Sequence, residues 1–535
     1  MNVSRLLRSG LSALLVGLLA TTAACSTDTA NDDGIEGTED DLTSITARSR
    51  TLTFAGTVYV EAGSTDQAIL SAVRSQSQTA FGPMRTVDIA VNSRELKEVD
   101  PSTFVKRPIK VIDTSVAGDR GKDMLEIKYT YKDNAVVGLQ YARRTTVPLA
   151  VMSPNYRSQL ERILRECTPN DAHSRDFLSS AWYIFEPRVA TCQEAMKVEQ
   201  QKITADRAKL TDPRNQVTKS DAERLYLPIQ ARLGADKTNR GASYPEYARL
   251  YKGGVQANKV VVSLVYGYID HDNHNGPSGD YNWGELMTTL QEVMESGGDL
   301  KLVPVQGQPA VDLAHFTLAS GKKVDNASFR DLVGLHGGDT SLQLSSADKQ
   351  DLEKQLATRI DKKWIGAERT VSVTSGNEPA RDVGIEFLVY FGADSNAAPH
   401  KFATKNSDVF LYNGHSNIGF GPLDPRNFSA ADFPASYQIM WVDGCVSYNY
   451  YEKDYIPLKQ GGTKNLDLIT NGIEAPSWRS GHAMGQWLIK LLDGKGSSYK
   501  DLLLAAEDTE ALRVVDGELD NEFTPARFPM TVTPR

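Results

Sequence analysis

Polar and apolar positions alternate through residues 51–149. In TLTFAGTVYVEA and MLEIKYTYKDNAVVGLQY an apolar or aromatic residue recurs at every second position, the period of a half-buried strand. The KDN triplet predicts a hairpin break inside the second run, and one helix is predicted over about residues 66–77. The stretch reads as a small β-rich domain without a chemical constellation. From about residue 153 to 253 the period becomes helical, in NYRSQLERILREC and ATCQEAMKVEQQKITADRAKL. From about residue 256 to the end strands and helices alternate, which predicts an α/β layer.

In that last part KVVVSLVYGYI is a near-continuous apolar run, as in a strand covered on both faces. NWGELMTTLQEVMESGG predicts a helix with Asn282 at the N-cap and Glu285 three residues on, a capping box. Its buried stripe is Trp283, Leu286, Met287, Leu290, Val293 and Met294, and Gly297 closes it. A further helix is predicted over about residues 347–364. IEFLVYFG, DVFLYNG and QIMWVDG predict three more core strands.

The N-terminus changes the picture of where this chain resides. Arg5 and Arg8 precede the apolar run LSALLVGLLA, too short to cross a bilayer core of about 30 Å. TAAC, ending at Cys25, has the small residues of a lipoprotein cleavage box, although Thr22 leaves an ordinary secretory signal open. Residues 1–24 are therefore expected to be a signal peptide, Cys25 a lipidation site, and residues 25–50 an acidic disordered tether. The expected location is the cell envelope, as an outer-membrane lipoprotein, otherwise periplasmic or secreted. Among 535 residues, 59 basic against 68 acidic side chains give a net charge of −9, with no Lys/Arg-rich block. Nucleic acid is excluded as a partner.

The chain has four cysteines: Cys25, Cys167, Cys192 and Cys445. In an oxidising compartment Cys167 and Cys192 are expected to pair. That leaves Cys445, either a buried core thiol or a reactive one. The stretch DVFLYNGHSN ends its apolar run at His415, and QIMWVDGCVSY ends its own at Cys445. If the two strands are parallel neighbours, both side chains emerge on one rim. An adjacent imidazole favours the thiolate and can return a proton to a leaving amine. The backbone N–H groups of Ser416 and Cys445 are candidates for an oxyanion hole.

YNGHSNIGFGPLDP and DGCVSYNY resemble the clan CD cysteine peptidases, which include caspases, legumains, separases and gingipains, with the gingipain-like branch nearest. KQGGTKNLDLITNG resembles the Gly-Gly turn and strand that follow the nucleophile there, and GHAMGQWLIKLL the next helix. The resemblance covers about residues 384–492. It implies a caspase-like, mostly parallel sheet flanked by helices within residues 256–535. It also implies Cys445 as nucleophile and His415 as general base and acid. Ser416 stands where that group has glycine, and Asp443 where it has an apolar residue.

Weaker candidates surround these two. Asp443, Trp478, Arg479, Asp270 and His271 are candidate substrate contacts. Asp270, His271, Asp272 and His274 could alternatively hold Zn²⁺ or Ca²⁺; otherwise no cofactor is called for. His173, His315, His336 and His400 lack metal-ligand spacing. The expected domains are β-rich (51–150), helical (151–255) and caspase-like α/β (256–535). The expected function is an exported cysteine peptidase acting on peptide or protein substrates and bound to a membrane through its lipid. The alternative is a non-catalytic surface-binding lipoprotein on the same fold.

Overall fold

The alternating runs of the first half fold into one sheet. Its strands are β1 (Ala47–Glu61), β2 (Ile89–Val91), β3 (Val105–Ile112), β4 (Lys122–Gly138), β5 (Thr146–Met152), β6 (Gln216–Thr218) and β7 (Tyr226–Asp236). In this computed structural model they run in the order β5–β7–β1–β4–β3–β6, with β2 also on β4. The structure describes residues 41–169, 171–270, 276–392, 395–476, 478–506 and 511–535. The signal peptide, Cys25 and residues 26–40 of the acidic tether lie outside the described residues.

Three expectations change here. KDN makes no hairpin: β4 runs straight through it, with Lys132, Asp133 and Asn134 opposite Thr53, Leu52 and Thr51. The Asp133 carboxylate is satisfied within the sheet by Ser93 and by the Tyr131 hydroxyl at 2.5 Å. The tether ends before residue 50, because Leu42 is buried and Thr43 exchanges backbone hydrogen bonds with Val515 at 3.1 and 2.9 Å. The segment 151–255 is not a separate helical domain. Helices Leu160–Cys167 and Ala190–Arg207 are joined by the Cys167–Cys192 disulfide, but β6 and β7 after them return to the first sheet.

The second sheet contains β8 (Lys259–Gly267) and β9 (Lys301–Val303); a separate hairpin follows, β10 (His315–Thr317) with β11 (Lys323–Asp325). It continues with β12 (Lys363–Ser375), β13 (Arg381–Gly392), β14 (Val409–Asn413), β15 (Gln438–Asp443), β16 (Leu466–Asn471), β17 (Arg513–Asp516) and β18 (Met530–Pro534). The order is β17–β16–β15–β14–β8–β13–β12–β18, with β9 on β12. From β13 to β16 neighbours are parallel; β12 and β17 are antiparallel to theirs. Thus the second half is a mixed α/β layer. Residues 260–267 of β8 are all buried, as the unbroken apolar run requires.

Helix Tyr281–Gly297 buries the whole predicted stripe, but its N-cap is Asp280, whose carboxylate accepts from Asn282 N–H at 2.9 Å. Helix Ser346–Ile360 stops short of Trp364, which belongs to β12. Lys362 takes a positive φ of 57°, turning the chain, and its N–H bonds Phe391 O at 2.7 Å. One apolar core joins the sheets, running from Tyr131 and Val136 to Val446, Tyr448 and Tyr450.

Candidate functional site

Strands β14 and β15 are parallel neighbours in register, and their last residues, Asn413 and Asp443, are paired. His415 and Cys445 each lie two positions further on. The two segments stay side by side beyond the strands: a Cβ on Gly444 would come within 3.3 Å of Gly414 O and 3.5 Å of Ser416 N. That approach explains the glycine at 444. Both His415 and Cys445 are half-buried and follow the same ends of adjacent parallel strands. The backbone is strained on either side. Val446 is left-handed at φ 53°, as are Asn417 and Ile418 at 49° and 52°. β-Branched residues rarely accept that conformation, which costs on the order of 1–3 kcal/mol each. Val446 turns the chain from β15 into helix Ser447–Tyr455.

His415 is oriented by a group that sequence patterns do not advertise. Its Nε2 lies 3.2 Å from the Ile269 carbonyl oxygen, just beyond β8. A carbonyl only accepts, so Nε2 is the donor in this contact. The Ile269 segment is itself held. Asp280 accepts from the N–H groups of Ile269 at 3.2 Å and Asp270 at 2.9 Å, in addition to capping the helix. Asn282, expected to be the cap, instead bridges Gly267 O at 2.8 Å and Asn413 O at 3.2 Å, tying the ends of β8 and β14 together. Glu285 reaches the next helix, accepting from Gly481 N–H at 2.6 Å.

Cys445 sits beside Glu474 and Ala475 on the segment after β16. Burial pushes its thiol up to about 11, and the negative charge of Glu474 adds to that; a hydrogen bond from Ala475 N–H and the charge of Arg85 work the other way. Glu474 is ion-paired with Arg85 and accepts from the Tyr183 hydroxyl at 3.3 Å. Arg85 and Tyr183 come from the first half of the chain. Glu474, Ala475, Arg85, Tyr183, Ile269 and Asp280 were all missed by sequence reasoning. The motif HSN and the sequence DGC mark His415 and Cys445, but nothing local marks their partners.

The weaker candidates separate. Asp443 is buried, bonded to Arg513 at 3.3 Å and to Asn471 Nδ2 at 2.6 Å, so its carboxylate is already engaged within the sheet. Trp478 is 61% exposed, and Arg479 is exposed at the start of helix Ser480–Leu492. Asp270 is exposed; His271, Asp272 and His274 lie outside the described residues, and no group of potential metal ligands is found among the described ones. Ser416 is buried, its carbonyl accepting from Tyr451 at 3.0 Å. His336 bonds Glu353 at 2.8 Å, and His400 is buried against Tyr412. No described helix is long and apolar enough to cross a membrane.

No protein family, curated protein or solved structure was found to match this chain.

Proposed function

We propose that the chain is an exported cysteine peptidase on a caspase-like sheet, with Cys445 as nucleophile and His415 as general base and acid. The observation that carries this reading is the pairing of Asn413 with Asp443, which sets both residues on one rim of adjacent parallel strands. The Ile269 carbonyl supports it by orienting the imidazole through Nε2–H. In the reaction Nδ1 of His415 takes the thiol proton and the sulfur bonds to the scissile carbonyl carbon. The imidazolium then gives its proton to the amine nitrogen as the C–N bond breaks. Water hydrolyses the thioester, with the same imidazole as base. The N–H groups of Ser416 and Cys445 are the proposed oxyanion donors, and Trp478 and Arg479 the proposed substrate-facing surface. The proposed setting is the outer membrane, through lipid on Cys25. The test is cleavage of an unfolded protein substrate by the native chain, Cys445→Ala and His415→Ala. Equal cleavage by all three would remove the reading.

A second reading is favoured by one observation. A thiol pushed up to about 11 is almost wholly protonated at neutral pH, as in a surface-binding lipoprotein that has kept the fold without the chemistry. Alkylation of Cys445 with iodoacetamide near pH 7 separates the two. A thiol inert there, together with no proteolysis under any condition of pH, favours the binding protein.

A further inference from the structure

Helix Asp66–Gln78 carries Gln67, Ser71, Arg74, Ser75 and Gln78 on one face, at the spacing of successive helical turns. With Lys97 and Arg157 they line a polar cavity of about 330 Å³. Three separate segments thus each bring a cation to one hollow, in a chain whose net charge is −9. Arg94 and Arg426 stand close behind. Burial holds Lys97 below its ordinary range, and Arg157, Arg74, Arg426 and Arg94 all push it further down. The carboxylates nearby are fewer than the cations. Glu95 pairs with Lys97, and Asp424 and Asp454 serve Arg94 and Arg426. Among the described residues neither Arg74 nor Arg157 is paired with a carboxylate. The segment that presents Lys97 is strained, with Glu95 and Leu96 both left-handed at φ 56° and 52°.

We propose that this cavity binds a small phosphorylated ligand of sugar-phosphate size. Two guanidinium groups match the paired oxygens of a phosphate, which a lone ammonium does not. The exposed Ser71 hydroxyl and Gln67 amide suit the hydroxyl groups of a sugar, while Ser75 and Gln78 are held by Pro154 O and Glu95. The volume lies at the small end of ligand sites, roughly 300–1,000 Å³. The proposal is independent of any peptidase activity. Through Arg94, which donates to Gly419 O at 2.7 Å, the site adjoins the loop that follows His415.

The experiment is calorimetric titration of the full chain with inorganic pyrophosphate and with glucose 6-phosphate, glucose being the uncharged control. Both anions are expected to bind, more weakly as salt is raised. Arg74→Gln/Arg157→Gln is expected to lose about tenfold or more in affinity. Both side chains are exposed, so this variant is expected to melt with the native protein; Ser71→Trp, which fills the cavity, is the second variant. Absence of binding to the native chain overturns the proposal. So does undiminished binding by both variants, or glucose 6-phosphate binding no tighter than glucose.

Discussion

Arg85 and Glu474 form an ion pair across the seam between the two halves of the chain, at the flank of Cys445. They are 389 positions apart in sequence. The Arg85 guanidinium also lies 4.7 Å above the Tyr183 ring and 3.3 Å from Glu186. Its Nε is buried without a hydrogen-bond partner among the described residues. The pair therefore does two opposed things to the thiol. Glu474 disfavours the thiolate by like charge, and Arg85 partly offsets that.

Neutralising the carboxylate should release the sulfur. In Glu474→Gln the midpoint for alkylation of Cys445 is expected to fall below about 11, and in Arg85→Met to rise, because a stabilising cation is gone. The measurement is the iodoacetamide rate against pH for the native chain and both variants. Midpoints that do not move would mean that burial alone sets the thiol.

Asp280 should act on His415 through Ile269. Replacing it with Ala removes the acceptor for the N–H groups of Ile269, Asp270 and Asn282. Leaving a buried donor unpaired costs about 1–3 kcal/mol. Melting should fall accordingly, and on the proposed peptidase reading peptide turnover should fall with little change in KM, because the imidazole loses its strut. Asp280→Asn, which keeps one acceptor oxygen, should recover part of both. A turnover indifferent to Asp280→Ala would show that the Ile269 carbonyl needs no such support.

The strands around the rim were legible because burial on both faces leaves an unbroken apolar run, as in β8 and β15. The stripe of helix Tyr281–Gly297 was legible because a 3.6-residue period admits few other readings. Its cap was not. Asp280 and Asn282 are both good capping residues, and only the bond from Asn282 to Asn413 O shows that the asparagine is used between strands. KDN has turn-forming composition, and partners on β2's flank, Ser93 above all, outweigh it. Asp443 was readable as an oddity before the Gly-Cys pair, but its mate Arg513 arrives from β17, 70 positions away. The Ile269 carbonyl was invisible because a backbone oxygen leaves no signature in composition. Glu474 and Arg85 were invisible because neither pairs with anything nearby in the chain.

The disulfide is buried, with Cys167 and Cys192 both in the apolar core, and should contribute to stability. Cys167 and Cys192 close a loop of 25 residues. On the chain-entropy account, opening it costs about 3.5 kcal/mol. Cys167→Ser/Cys192→Ser is expected to unfold at lower denaturant while Cys445 alkylates as before. A denaturation midpoint equal to that of the native chain would mean that the loop stays ordered without the bond.

Asp467 gives the fold a pH dependence of defined sign. It is completely buried on β16 and bonded to Tyr437, Tyr499 and, at 2.6 Å, Asn521 Nδ2. Burial pushes its carboxyl up from 3.8 to about 7, and the three donors only partly oppose this. The folded state therefore holds the proton more tightly than the unfolded chain. Its contribution is fully present below about pH 4 and is lost as pH rises through about 7. That loss is on the order of 4 kcal/mol between those limits. Asp467→Asn carries no titrating proton, so the difference in stability between native and variant should shift in the variant's favour as pH rises from about 4 to about 7. Urea unfolding at a series of pH values reads this difference directly. A difference that stays flat, or that runs the other way, would show that the three donors keep Asp467 ionised in the core.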